Sequence, residues 1–473
     1  MNKIILLIIG ILSFSQLSAQ GYDISVKVNG LSCDEELLLA NHFGDKQYIR
    51  DTSECVNGEF HFKGENPLES GIYLIVLPDR RYFEVVISAY ENQNTYGFET
   101  DTLLEPDKLV TKGSIENKLF YGFNKFAAEK GMEAAGIREA IESAEDDKTK
   151  KKLQKELSEI GEEVKIFRQK IVDENPATFI AKVYKAMREI TITEPPVEMT
   201  DSLKRIRGYM YLRKHFWDNI DNGEDGLVRT PIFHRKLKEY FDNYVPPVPD
   251  TSIAMADELI NRMEKEGSSE QFKYTIHFLL TYFQKSKYMC FDKALYHITN
   301  NYYCSGRAFW ADSSLIADMC EQSRKMGPTL CDLVAPEMNM PDTAFNRRYS
   351  LHSMPTPVTV LVFWDINCGH CKKEMPIIKQ YYDSANHEEV SVYAVYTQGD
   401  WQGWKDYIKE KELNFLNVAN AFGEDDFRKS YNIISTPQIY ILDKDKKIRF
   451  KKIAAKDIHS TVQHLLDEEA EVQ

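Results

Sequence analysis

The chain has 473 residues, 43% of them hydrophobic and 28% charged, with a formal net charge of −14 at pH 7. That length is enough for about three domains, each with a core of its own. The acidic balance, without basic clusters, argues against nucleic acid and against anionic membrane surfaces as partners.

Residues 1–19 carry Lys3 near the front, an apolar run from Ile4 to Phe14, and then Ser-Gln-Leu-Ser-Ala. This is the pattern of a secretory signal peptide, with cleavage predicted near Ala19 or Gln20. The run is short for a membrane span, and no later apolar stretch reaches that length. The first cysteine is Cys33, so no lipid-anchor cysteine follows the cleavage region. A protein that does not span the membrane, exported to an oxidising compartment, is predicted.

Residues 21–110 read as a β-sandwich. Short alternating or apolar runs (Tyr22 to Val28, Leu37 to Ala40, Phe60 with Phe62, Gly71 to Leu77, Tyr82 to Ile87) are separated by Gly, Asn, Pro and Asp. From about Ser114 the period becomes helical, and residues 112–332 read as an all-α domain. Leu153, Leu157, Ile160, Val164, Phe167 and Ile171 recur at steps of four and three, the stripe of a long amphipathic helix, and a preceding helix is predicted to end near Ala144. Val245-Pro246-Pro247-Val248-Pro249 breaks this region near 245–250, and Asp250 or Ser252 offers an N-cap to a second helical set. His215, His234, His277 and His297 do not fall at metal-ligand spacing. Tyr302, Tyr303, Phe309 and Trp310 around Gly306 read as a packing corner, with a groove for an unfolded client as the alternative.

Residues 335–470 alternate strands and helices. Val358 to Trp364 is an uncharged apolar run, predicted as a strand buried on both faces. A helix follows from about Gly369; further strands are predicted at Val390 to Tyr396, Ile439 to Leu442 and Ile448 to Ile453. Helices are predicted at Trp401 to Lys411, Asp425 to Tyr431 and Asp457 to Asp467. The whole is read as an α/β domain with a mixed sheet.

Cys368 sits where the buried strand hands over to a helix N-terminus. Unpaired amides and the positive end of the helix dipole favour a thiolate there, and the thiolate is the nucleophile of disulfide exchange. Cys371 is one turn on, placed to close a Cys368–Cys371 redox disulfide as the more buried, resolving partner. Zinc would need a second Cys or Cys/His pair at short spacing, and haem attachment a His directly after Cys371, where Lys372 stands, so no metal and no cofactor are predicted. Of the eight cysteines, Cys33 and Cys55 form the expected local pair. Cys290, Cys304, Cys320 and Cys331 remain open between bridges and buried thiols.

Phe363-Trp364, Cys368-Gly369-His370-Cys371, Lys372-Lys373-Glu374 and Pro376, followed later by Ile434-Ser435-Thr436-Pro437, resemble the TlpA/ResA-like thiol-disulfide oxidoreductases, which have the thioredoxin fold. The resemblance covers about Ala335 to Glu468, with Ala335-Pro336-Glu337-Met338 similar to the family's entry motif. It implies a cis peptide before Pro437, beside the sulfurs, with Thr436 presenting backbone to a client and Trp364 packing over the site. Gly369, His370, Thr436, Pro437 and Trp364 are thereby candidate client-binding residues. Val362 stands where thioredoxin has a buried Asp, and Glu374 occupies the position of a tuning acid in ResA-like members. Glu374 is thus the candidate proton handler for Cys371, with a solvated surface Glu as the alternative. His370 makes the tetrapeptide similar to that of protein disulfide isomerase, and a cationic His should make the couple more oxidising than a Gly-Pro site would be. Gly58-x-Phe60-x-Phe62-x-Gly64 followed by Gly71-Ile72-Tyr73 is similar to the β-domain found ahead of TlpA-like modules in envelope proteins of Gram-negative bacteria. The helical region resembles its companion there.

The resemblance implies a periplasmic or cell-envelope oxidoreductase whose partners are disulfide- or thiol-containing client proteins, which reduces protein disulfides and draws electrons from a membrane electron-donor protein. A disulfide oxidase or isomerase is a second reading. A non-catalytic envelope binding protein with a docking thioredoxin module is a third.

Overall fold

Strand and helix boundaries follow the switch from period two to period 3.6 that the sequence carries. The computed structural model describes residues 21–105, 108–192, 199–423 and 425–471; the predicted signal peptide, 1–19, lies outside the described residues. Two compact units emerge, one holding the described residues up to Tyr244 with Asn261–Tyr274, the other Val245–Ile260 and the described residues from Thr275 onward.

The first unit opens with β1 (Tyr22–Asn29), β2 (Leu38–Phe43), β3 (Lys46–Thr52), β4 (Glu54–Val56), β5 (Glu59–Gly64), β6 (Gly71–Val76), β7 (Tyr82–Ile87), β8 (Gly97–Asp101) and β9 (Val110–Lys112). They form sheets of order β4-β5-β1-β8-β9 and β3-β2-β6-β7. Ile24, Val26, Phe60, Phe62 and Phe98 from one sheet meet Leu39, Tyr73, Ile75, Val85 and Ile87 from the other, the core of a sandwich. Cys33 and Cys55 are bridged, as expected. Then come α1 (Ile115–Ser143), α2 (Asp147–Glu174), α3 (Phe179–Ala186), α4 (Asp201–His215) and α5 (Pro231–Asn243). α1 is capped by Ser114, whose hydroxyl accepts from the Asn117 amide at 3.1 Å. It is docked on the sandwich by Asn117, whose side chain exchanges hydrogen bonds of 2.8 and 2.7 Å with the backbone of Val86. Buried Glu116 accepts the amides of Phe179 and Ile180 at 2.7 and 2.8 Å, satisfying the first turn of α3.

The remaining helices are α6 (Pro249–Glu266), α7 (Ser269–Gln284), α8 (Asp292–Ile298) and α9 (Ser313–Met326). α6 does not begin at a cap on Asp250 or Ser252. It starts at Pro249, whose fixed φ suits a first turn, and the Ser252 hydroxyl donates to the Pro246 carbonyl at 3.1 Å. At the aromatic corner Tyr302 and Tyr303 are buried while Phe309 is exposed. The middle cysteines are bridges rather than buried thiols: Cys290–Cys331 and Cys304–Cys320.

The C-terminal part runs β10 (Asn339–Pro341), β11 (Arg348–Ser350), β12 (Val358–Trp364), α10 (Gly369–Ser384), β13 (Val390–Tyr396), α11 (Trp401–Lys411), β14 (Leu416–Ala419), α12 (Phe427–Ser430), β15 (Gln438–Leu442), β16 (Ile448–Lys451) and α13 (Ile458–Glu471). The sheet order is β14-β13-β12-β15-β16, with β12, β13 and β14 parallel, β15 antiparallel to β12, and β16 antiparallel to β15. Every residue of central β12 is buried. Val358, Val360, Val362 and Trp364 face a cluster with Met375 and Ile378 of α10, Trp404 of α11 and Val462 of α13. Leu361 and Phe363 face Met338, Phe427, Tyr431 and Cys331 on the other side. The sheet is therefore mixed and covered on both faces.

The helical region read as one domain over 112–332 is divided between the two units. Past the Pro-rich break, Val245–Ile260 and the residues from Thr275 onward fall in one unit with the C-terminal domain, and specific bonds join them there. The Cys290–Cys331 bridge is one, and buried Lys451 is another: it pairs with Asp292 and donates to the Thr329 carbonyl at 2.6 Å. Asp332 and Leu333 also extend the ladder of β16, through Asp332 N to Ile448 O at 2.8 Å and Ile448 N to Leu333 O at 2.9 Å.

Candidate functional site

Beyond the buried end of β12, Asp365, Ile366 and Asn367 turn the chain, and Cys368 becomes the N-cap of α10. Its φ and ψ of −81° and 118° keep it outside the helix, so its sulfur reaches the first-turn donors. The Cys371 amide donates to Cys368 Sγ at 3.3 Å, and Cys368 Sγ lies 3.1 Å from the Thr436 carbonyl oxygen, to which the thiol donates. Cys368 is half-buried, Cys371 is 1% exposed, and both are free thiols, so this is the dithiol state of the pair.

The two sulfurs have opposite electrostatics. Burial pushes the Cys368 thiol up, but hydrogen bonds from the side chain and amide of Cys371, from Thr436 and from the His370 amide outweigh it, and its pKa lies below the ordinary thiol value. Cys371 is pushed up to about 12, first by burial and next by the Cys368 sulfur beside it. One thiol is prepared as a nucleophile and the other is held protonated.

The Thr436–Pro437 peptide is cis and both residues are half-buried beside the Cys368 sulfur. Gly369 and His370 face solvent, and nothing lies within 4 Å of where a side chain on Gly369 would begin. Trp364 is not over the site: it is 0% exposed, on the core face of β12, with Tyr396 at 5.9 Å and Tyr407 at 5.6 Å between ring centroids. The alternation that buries Val358, Val360 and Val362 turns its ring inward, so a client cannot touch it. Glu374 is half-buried, and one of its oxygens accepts the Ala455 amide at 2.6 Å. It thereby ties the first turns of α10 to the turn before α13, and among the described residues no hydrogen bond joins its carboxylate to Cys371.

Beneath the thiols lies an aromatic cluster that reading the sequence missed. Trp401, Trp404 and Tyr407 recur every third residue along α11, a signal that α11 presents one aromatic face. Trp404 stacks on Tyr396 at 5.4 Å, and Trp401 meets the same ring edge-on at 6.0 Å. The Tyr407 hydroxyl is pushed up by burial first, with Glu410 and Cys371 adding to it against Lys411. Among the described residues no group of three or more His, Cys, Asp or Glu side chains could hold a metal ion.

Residues 332–451 match the AhpC/TSA family model; 142–325 and 22–120 match two domains of unknown function, DUF5106 and DUF4369. Sporulation thiol-disulfide oxidoreductase A of Bacillus subtilis (strain 168) is 34% identical over 98 residues, 20% of this chain and 58% of that protein. Thiol-disulfide oxidoreductase ResA of Bacillus thuringiensis subsp. konkukian (strain 97-27) is 30% identical over 88 residues, 19% of this chain and 50% of that protein. A solved domain of a possible thiol-disulfide isomerase from Cytophaga hutchinsonii ATCC 33406 is 28% identical, covering 30% of this chain and 97% of that domain with a TM-score of 0.29. The chain spans about half the length of the curated relatives it matches.

Proposed function

We propose that this chain, with a thioredoxin-like domain of the AhpC/TSA family at its C-terminus, is a thiol-disulfide oxidoreductase that reduces protein disulfides. The Cys368 thiolate attacks one sulfur of a client disulfide; the other client sulfur leaves as a thiolate and takes up a proton. The mixed disulfide is then resolved by Cys371, which loses its proton, attacks Cys368 Sγ and releases the second client thiol. Two electrons pass to the client, and the protein keeps a Cys368–Cys371 disulfide. A membrane electron-donor protein is the proposed reductant that restores the dithiol.

One observation carries this reading: a half-exposed sulfur at the mouth of α10, held 3.3 Å from the Cys371 amide, beside a thiol that is 1% exposed. Thr436, whose carbonyl oxygen is 3.1 Å from the sulfur, its cis neighbour Pro437, and Gly369 and His370 next to Cys368 along the chain are assigned to the client's backbone. Glu374 is assigned a positioning role, through its hold on the Ala455 amide. Export through a cleaved signal peptide at 1–19 would place the protein in the periplasm or cell envelope, where its three bridges, Cys33–Cys55, Cys290–Cys331 and Cys304–Cys320, are chemically at home. Among the described residues no helix is long and apolar enough to cross a membrane.

Insulin reduction by the wild type and by Cys368→Ser tests the proposal. Activity in the wild type and none in the variant is expected; equal behaviour would leave a non-catalytic binding protein. The exposed His370 between the cysteines favours one further reading, an isomerase or oxidase. Recovery of scrambled ribonuclease without added oxidant would select the isomerase, and oxidation of reduced ribonuclease by the Cys368–Cys371 disulfide form would select the oxidase.

A further inference from the structure

The chain is acidic as a whole, but in physiological salt a charge is felt over only about 8–10 Å, so each surface is governed by its own side chains. α4 departs from the balance. Over Asp201–His215 it carries Lys204, Arg205, Arg207, Arg213 and Lys214 against the single carboxylate of Asp201, a basic cluster that the net charge conceals. Lys204 lies 3.9 Å from Asp201. Among the described residues no carboxylate pairs with Arg205, Arg207, Arg213 or Lys214.

The same helix buries none of its residues. It is held from one side. The Tyr209 hydroxyl donates to the Tyr244 carbonyl at 2.9 Å, and Ile192 packs 3.7 Å from where a side chain on Gly208 would begin. Leu203, Ile206 and Met210 are 50%, 56% and 49% exposed. At 3.6 residues per turn these three fall within about 60° of one another, on the side of the helix opposite Gly208 and Leu212. The same periodicity sets Arg213 on one flank of the stripe and Arg207 with Lys214 on the other. A contiguous apolar stripe in water, bordered by unpaired cations, is the pattern of a helix that lies in a membrane interface.

We propose that α4 attaches the protein to the surface of an anionic phospholipid bilayer. Leu203, Ile206 and Met210 enter the headgroup region, and Arg207, Arg213 and Lys214 pair with lipid phosphates. Charge complementarity selects this occupant, and the outward side chains are aliphatic on a convex helix, which suits fluid lipid more than the shaped pocket of a protein partner. The inference is independent of the exchange reaction and adds a place at which the chain works.

The test is sedimentation of the full chain, freed of the predicted signal peptide 1–19, with vesicles of phosphatidylglycerol and phosphatidylethanolamine or of phosphatidylcholine alone. The wild type is expected to bind the anionic vesicles, less in high salt, and to leave phosphatidylcholine largely unbound. Arg207→Gln with Arg213→Gln should weaken binding about thirtyfold, about fivefold for each cation near an anionic surface. Ile206→Asp should abolish it. These positions are on the surface, so the circular dichroism of the variants should match the wild type. No binding to anionic vesicles, equal binding to both kinds, or binding that the variants retain overturns the attachment. Two further results overturn it in favour of another occupant: a dimer without vesicle binding that Ile206→Asp dissociates, or retention on duplex DNA without retention on vesicles.

Discussion

Titrating the dithiol from pH 5 to pH 10 should separate its two sulfurs by orders of magnitude. Cys371 lies at about 12 against an ordinary 9.0, so at pH 7 it is ionised to about one part in 10⁵ where an ordinary thiol reaches about one part in 10². That thousandfold deficit corresponds to about 4 kcal/mol. Cys368 is displaced the other way. Alkylation of the reduced protein by iodoacetamide, read by mass spectrometry of the peptides carrying each cysteine, should label Cys368 with a midpoint below the ordinary thiol value. Cys371 should stay unlabelled through neutrality. Burial is the larger cause of its shift, so Cys368→Ser should speed Cys371 labelling only in part. Labelling of both sulfurs at similar rates at pH 7, or a Cys368 midpoint at or above 9.0, would refute the reasoning. Stability follows the same signs. Between the lowered pKa of Cys368 and 9.0 the unfolded chain binds more protons, so stability rises with pH there; between 9.0 and about 12 the folded chain keeps the Cys371 proton, and stability falls.

Trp364→Ala should cost about 3–5 kcal/mol, because the ring is fully buried, and should lower Tm without changing the preference among clients; a change confined to client KM would restore Trp364 to the binding surface. Lys451→Met leaves the Asp292 carboxylate and the Thr329 carbonyl without their partner and should cost about 3–5 kcal/mol in denaturant unfolding, whereas Lys451→Met with Asp292→Leu should recover most of it. If the single and double variants are equally unstable, the ion pair is not what binds these elements. His370→Pro should lower the reduction potential measured against glutathione, by about 30 mV for each tenfold change in the equilibrium. An unchanged or higher potential removes His370 from the tuning of the couple.

What was legible in the sequence was local. The uncharged run Val358 to Trp364, the cysteines one helical turn apart and Thr436-Pro437 each carry their meaning within a few residues, and the structure holds Cys368, Cys371 and Thr436 in one cluster. Elements with mixed composition were not legible. β14 has four residues, and its Asn417 is buried because its amide donates to the Leu413 and Phe415 carbonyls at 3.0 and 2.9 Å, a compensation that period-two reading cannot foresee. β10 and β11 have three residues each. They are steadied by Glu337, which accepts the amides of Met338 and Leu351, both at 2.9 Å. β3 is a polar edge strand with no alternation to detect. Trp364 failed for a different reason. Its neighbourhood was right, but a strand face, and not proximity to Cys368, decides where a side chain points.

The burial that makes Cys371 inert in the dithiol also orders the two steps of exchange. Burial is the largest cause of its raised pKa, and the hydrogen bond and charge of Cys368 Sγ are further causes. While Cys368 is a thiolate, a second anion beside it is disfavoured twice, by lost hydration and by repulsion. Once Cys368 is consumed in a mixed disulfide its charge is gone and its sulfur becomes the electrophile, so the second contribution vanishes when resolution has to occur. The first persists, since nothing about the mixed disulfide exposes a side chain at the base of α10. Resolution is therefore expected to be slower than first attack at neutral pH and to gain more from a rise in pH. A mixed disulfide that accumulates at pH 6 and clears at pH 8 is the kinetic form of the same asymmetry.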